Sequence, residues 1–244
     1  MKKRLNLILN GKGGVGKSFF AVNFVQYLKD KQIPHVALDC DNTNSTLKRF
    51  HPEAQFFDVT EERELDSIFA ALDAADLAVV DCRAASTDIF LDYFDHIAAF
   101  ELLASLGADL TVLMPVNHEP DSVEQVRTVA ERFNSHCQYV IIRNAVFSPT
   151  FEIFDQTKIR SRVLSELRGR EISMSKLQDW LVLGLNQTKL TITQAKEHSH
   201  FSLLNRQRLI MWQRRLYEEI DSVRDLVIPA ASPVTGRHEA DQLL

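Results

Sequence analysis

The stretch "LNLILNGKGGVGKSFFAV", residues 5–22, decides the fold. Gly11, Gly16, Lys17 and Ser18 fit the pattern G-x-x-x-x-G-K-[ST]. Before it, "RLNLILN" is an apolar run suited to a strand buried on both faces of a parallel sheet. After it, "SFFAVNFVQYLKDK" places Phe20, Val22, Phe24, Val25 and Leu28 at helical spacing. Strand, glycine loop and helix together form a phosphate-binding loop. Gly11, Gly13, Gly14 and Gly16, with Val15 among them, let backbone N–H groups wrap phosphate without side-chain clash. The helix N-terminus, opening on Lys17, Ser18 and Phe19, adds a positive dipole end. Lys17 is expected to neutralise the β- and γ-phosphates and the Ser18 hydroxyl to coordinate Mg²⁺. Lys12 is a second lysine in a loop that needs one.

Outward from the loop, apolar strand candidates recur: "HVALDCD", "LAVVDCR", "ADLTVLMPVN", "QYVIIRNAVF" and "EISMSKL", with "FFDVT" at 56–60 as a short extra one. Helical patterns at 18–31, 61–74, 86–107, 121–133 and 150–168 separate them. This alternation predicts a doubly wound, mainly parallel α/β sheet with helices on both faces. Ser122 followed by Gln125 fits a capping box for the fourth helix. The expected division is a phosphate-loop α/β core over 1–177, packed C-terminal helices over 178–228 and a flexible tail over 229–244.

Composition fits this reading. At 244 residues, 45% hydrophobic and 25% charged, the chain can bury a full α/β core. A net charge of −5 argues against dominant nonspecific nucleic-acid binding. No apolar run reaches membrane-spanning length. The opening "MKKRLNLILNGKGG" runs into the loop, so it reads as a strand and not a signal peptide; the expected location is cytoplasmic. Cys40, Cys82 and Cys137 are widely spaced and read as buried bystanders.

Two strands end in acids. "HVALDCDNTNST" ends in Asp39 and Asp41, which alternation puts on one side at the strand's C-terminal end, where open α/β sheets bind ligands. One could orient Mg²⁺-bound water and the other the attacking water. The alternative is that Asp41, Asn42 or Ser45 caps the following "STLKRF". "LAVVDCRAAST" ends in Asp81, the position that holds Mg²⁺ in phosphate-loop enzymes, with a strand-end cap as the alternative.

"KGGVGKS" at 12–18, Asp39-x-Asp41, the strand-end Asp81 and the strand ending in Asn144 fall in the order of the ParA/MinD ATPases, whose deviant Walker A loop K-G-G-x-G-K-[ST] this stretch resembles. "NGKGGVGKSFFAVNFVQYL", "DCDNTNSTLKRF", "TITQA" and "NRQRLIMWQRRL" are most similar to the TraL-type ATPases of bacterial conjugal transfer. The resemblance implies a homodimer that sandwiches two ATP·Mg²⁺, with Lys12 reaching in trans to the other copy's phosphates and Gly13 small for close approach. It also implies that Asp41 positions the hydrolytic water, that Asp39 supports the Mg²⁺ shell, that 41–46 is switch I, and that Asn144 hydrogen-bonds adenine. The guanine-reading N-K-x-D does not occur, which favours ATP.

The function expected is a slow ATP-driven dimerisation switch in conjugal transfer, partnered by a conjugation or secretion-system component. The alternatives are a partition or positioning module locked by ATP, and a phosphate-loop kinase or synthetase, against which Lys12 argues. The proline that many members carry after the Walker B acid is missing; Arg83 stands there, ready for a partner, a phosphate or a salt bridge. Basic residues at Lys158, Arg160, Arg162, Arg168 and Arg170, and at Arg206, Arg208, Arg214 and Arg215, could hold DNA phosphates, but nearby glutamates favour solvated helix faces. "VTGRHEADQLL" has no sustained apolar face for a membrane tether.

Overall fold

The computed structural model describes residues 2–42 and 44–230. The strands are β1 (Lys3–Ile8), β2 (Val36–Asp39), β3 (Gln55–Phe56), β4 (Leu77–Asp81), β5 (Ala108–Val116), β6 (Gln138–Asn144) and β7 (Arg170–Met174). They pair in parallel throughout, in the order β3-β2-β4-β1-β5-β6-β7. From β1 the chain builds outward on one side, then returns through β4 and builds on the other through β5. The crevice where this order reverses lies at the C-terminal end of β1, where the glycine loop sits.

The helices are α1 (Lys17–Asp30), α2 (Thr46–Phe50), α3 (Glu62–Leu65), α4 (Ser67–Ala74), α5 (Thr87–His96), α6 (Ala99–Ser105), α7 (Pro120–Phe133), α8 (Glu152–Asp155), α9 (Lys158–Ser161), α10 (Asp179–Thr188), α11 (Ile192–Ala195), α12 (Leu203–Ser222) and α13 (Arg224–Val227). Alternation along each strand feeds two apolar layers. Leu5 and Leu7 of β1 face Phe90, Phe94, Val126 and Phe133 of α5 and α7. Ile8 faces Phe20, Phe24 and Leu28 of α1 and Leu209, Leu216 and Ile220 of α12. Both faces are covered, which is why these strands read as unbroken apolar runs.

Four segments differ from the sequence expectation. The helix expected over 86–107 is two, α5 and α6, parted by Ala98 at φ 49°. That over 61–74 divides into α3 and α4, and that over 150–168 becomes α8, α9 and a π-turn at Arg162–Glu166. The "FFDVT" strand shrinks to Gln55–Phe56. Segments facing one sheet keep a common apolar period across a bend, so periodicity does not register the break.

α12 also supports the site. Trp212 packs against Phe19 at a centroid distance of 5.4 Å and donates Nε1–H to the Ser175 carbonyl at 2.7 Å. The start of α1 is thus buttressed by a helix almost 200 residues further along the chain. Most of the expected tail, residues 231–244, lies outside the described residues.

Candidate nucleotide-binding site

The loop after β1 is held by side chains from three other elements. Asn10 donates Nδ2–H to the Pro115 carbonyl (2.9 Å) and the Ser122 carbonyl (3.0 Å), and its Oδ1 accepts the Lys12 N–H (3.0 Å). Gln125 Oε1 on α7 accepts the Gly11 N–H at 3.0 Å and the Thr87 hydroxyl of α5 at 2.7 Å. The Ala85 N–H donates to the Gly11 carbonyl at 2.9 Å. Asn144 Nδ2–H donates to the Val15 carbonyl at 2.9 Å.

Gly16 sits at φ 93°, and a Cβ there would run into the Asn144 amide. Gly16→Ala therefore meets both backbone strain and a buried polar neighbour. It is expected to weaken ADP binding by about tenfold or more while the circular dichroism spectrum stays native; calorimetric titration checks it.

The acidic side lies at β2 and β4, whose ends are in register, Asp39 opposite Asp81. Asp81 is fully buried, and neither carboxylate oxygen accepts a well-formed hydrogen bond. The Ser18 hydroxyl is close enough to favour the anion but out of hydrogen-bonding geometry. Burial, aided by the Asp39 carboxylate, pushes the Asp81 pKa up to about 8, against the pull of Ser18 and Lys17. A buried carboxylate without donors beside a hydroxyl and an ammonium fits a divalent cation, which would supply the missing positive charge.

Asp39 is already engaged. Its Oδ1 accepts the Asp41 N–H and its Oδ2 the Lys48 N–H, each at 3.0 Å. The capping role expected of Asp41, Asn42 or Ser45 thus falls to Asp39; the Ser45 hydroxyl bonds the Asp41 carbonyl instead. Burial still raises the Asp39 pKa despite those donors. The Asp41 carboxylate lines the cavity and accepts the Asn44 N–H at 3.2 Å. Arg83 lines it too and donates to Asn42 Oδ1 at 3.4 Å, tying the segment after β4 to the loop after β2.

Ala85, in the proline-less segment, has φ 57°. The left-handed region is strained for alanine and free for glycine. Ala85→Gly is expected to stabilise the protein by roughly 0.5–1 kcal/mol after its added unfolded-state entropy, read as a rise of about 1–3 °C in Tm.

The two lysines part company. Lys17 is buried, and its Nζ donates to the Lys12 carbonyl at 3.0 Å, inside the loop. Burial lowers its pKa against the pull of Asp81. Lys12 turns outward: its Nζ pairs with Glu119 Oε2 at 3.1 Å and Asp121 Oδ2 at 3.3 Å, at the start of α7. Those acids raise its pKa. Gly13 beside it is exposed, and among the described residues a Cβ there would meet Ala84 alone, at 3.8 Å.

A cavity of about 530 Å³ joins these parts, from Gly13, Lys17 and Asp41 across to Asn144. A profile described as the CobQ/CobB/MinD/ParA nucleotide binding domain matches residues 7–225. The chain belongs to this ParA/MinD family of nucleotide-binding domains. Among its relatives are the protein TraL of Escherichia coli, 26% identical and covering 90% of this chain and 98% of TraL, and MobD of Acidithiobacillus ferrooxidans, 22% identical and covering 91% and 99%. The fold is shared with MinD of Pyrococcus horikoshii OT3, solved with Mg-ADP, at TM-score 0.54 and 13% identity over 94% of this chain and 100% of that one. It is shared equally with a single-residue variant of Cyanothece McdA, solved as its ATP complex, at TM-score 0.53 and 12% identity over 95% and 99%.

The capping-box expectation changes within this ParA/MinD-type site. Ser122 and Gln125 form no capping box; α7 starts at Pro120, and Gln125 turns to the glycine loop. Cys40 and Cys82, far apart in sequence, meet at the ends of β2 and β4, where the Cys40 N–H donates to the Asp81 carbonyl at 3.2 Å. All three cysteines are free and buried. Several of the basic residues carry partners: Arg160 with Glu171, Arg170 with Asp225, Arg214 with Glu218 and Arg162 with Asn134. Among the described residues no helix is long and apolar enough to cross a membrane.

Sequence reasoning missed Asn10, Thr87 and Gln125 as loop supports. Asn10 left one signal, an amide closing an otherwise apolar run.

Proposed function

We propose that the chain is an ATP-binding, slowly hydrolysing dimerisation switch that acts in conjugal transfer of plasmid DNA. The observation that carries this reading is the divergence of the two lysines. Lys17 stays within its own loop, while Lys12 points away from it, beside an exposed Gly13. A cation so placed is suited to the phosphates of a second copy. Its pairs with Glu119 and Asp121 are surface pairs of the kind that exchange partners at little cost.

Lys17 and the loop N–H groups would hold the β- and γ-phosphates. Ser18 and Asp81 would hold Mg²⁺, with Asp39 bracing the loop that carries Asp41. Mg²⁺, when bound, would screen phosphate charge and satisfy the Asp81 carboxylate. Asp41 would position the water through carboxylate lone pairs that the Asn44 N–H does not use. The transfer role rests on the likeness to TraL-type ATPases, and a conjugation or secretion-system component is the partner this implies. The paired arginines do not favour DNA as the primary ligand.

Light scattering of the full chain tests the switch. ATP·Mg²⁺ is expected to double the molar mass, and ADP to leave it unchanged. A mass that ignores nucleotide while ATP still binds would overturn the reading.

A further inference from the structure

The acidic residues set the direction of a bound nucleotide. Asp81 and Asp39 end β4 and β2, on one side of β1. A phosphate chain whose cation lies beside Asp81 must carry its sugar and base the other way, toward the ends of β6 and β7. The cavity wall on that side is formed by Phe19, Asn144, Val146, Phe147, Ser175 and Leu177.

The motif order points to Asn144 as the residue that meets the base. Its amide, however, is used within the chain. Nδ2–H donates to the Val15 carbonyl at 2.9 Å, Oδ1 accepts the Val146 N–H at 3.2 Å, and the residue is only 4% exposed. Phe147, three positions on, is the opposite case. It lines the cavity, yet it is 63% exposed. The His118 ring meets it at 6.1 Å between centroids and 64° between planes, an edge contact that leaves ring surface uncovered. A large aromatic at a cavity rim that keeps most of its ring surface uncovered is suited to a ligand, and a flat base would cover it.

We propose that Phe147 is the stacking surface for the nucleotide's base, and that Asn144 is a positioning residue for the phosphate loop. The inference rests on the nucleotide-binding reading of this site and is independent of dimerisation. His118 braces the Phe147 ring. Stacking is tolerant of base identity, so the base contributes affinity here more through its face than through its edge.

Equilibrium titration of the full chain with ADP·Mg²⁺, ATP·Mg²⁺ and inorganic tripolyphosphate tests this. Phe147→Ala is expected to weaken ADP and ATP by about 10- to 100-fold and to leave tripolyphosphate unchanged. Phe147→Trp should retain ADP affinity and show an ADP-dependent change in indole emission beyond any from the parent's own Trp180 and Trp212. Asn144→Ala should weaken all three ligands, because it frees the Val15 carbonyl and the loop with it. Unchanged ADP binding in Phe147→Ala, or equal loss of tripolyphosphate, would overturn the stacking role. Loss of ADP with tripolyphosphate retained in Asn144→Ala would return the base to Asn144. Failure of the parent protein to bind any of the three would instead sink the nucleotide-binding reading beneath it.

Discussion

Asp81→Asn is expected to raise the melting temperature of the nucleotide-free protein and at the same time abolish the tightening of ADP binding by Mg²⁺. Both effects come from one buried carboxylate. Its pKa moves from an ordinary 3.8 to about 8 on folding. Between those values the folded state binds more protons than the unfolded state, so stability falls as pH rises. The contribution is complete below about pH 4 and has gone by about pH 8. At pH 7 the deficit is on the order of 4 kcal/mol. The asparagine amide carries its own desolvation cost of about 1–3 kcal/mol, which leaves a net gain of a few degrees in Tm. Thermal melts of both proteins from pH 5 to 8 check the first effect: the parent protein should lose stability across this range more steeply than the variant. Titrations of ADP with and without Mg²⁺ check the second. A variant that melts lower than its parent at pH 7 would mean that Asp81 already has donors in solution.

Lys12→Ala is expected to leave ADP binding nearly unchanged but to abolish the ATP-dependent doubling of mass and to lower turnover by about 10²–10³-fold. Among the described residues the Lys12 ammonium pairs with Glu119 and Asp121 at the surface, and the loop is held through its backbone by Asn10 and Gln125. On the proposed reading the loss falls on the phosphates of a second copy. Lys17→Ala gives the contrast: it should abolish nucleotide binding itself, because Lys17 is the buried cation at the loop's centre. Light scattering, titration and phosphate release separate the two variants. A Lys12→Ala protein that hydrolyses ATP at the parent rate would show that the cation acts on neither copy's phosphates.

Much of the fold was legible because it rests on local chemistry. The loop's glycines and its lysine–serine pair specify strand, turn and helix within eighteen residues, and the apolar runs that follow, alternating with helical patterns, fit the strands of a parallel sheet. The breaks inside helices were not legible, because α5 and α6 face the same sheet with the same period on either side of Ala98. The supports of the loop were hidden for a different reason. Gln125 and Thr87 lie 114 and 38 residues from their partners Gly11 and Gln125, and a hydrogen bond across that separation leaves no spacing to read.

The residue order alone determined the class of this protein: a parallel α/β sheet, a phosphate loop with two lysines, and acids at the ends of its second and fourth strands. These are properties of neighbouring residues, set by backbone freedom, periodicity and strand alternation. The tertiary structure decided how the side chains divide the work. It turned Lys12 outward and Lys17 inward, spent the Asp39 carboxylate on backbone donors while leaving Asp81 without them, and put the Asn144 amide on the loop while Phe147 faces the cavity. Those assignments depend on which groups meet when distant strand ends converge, and on how much water is left around each.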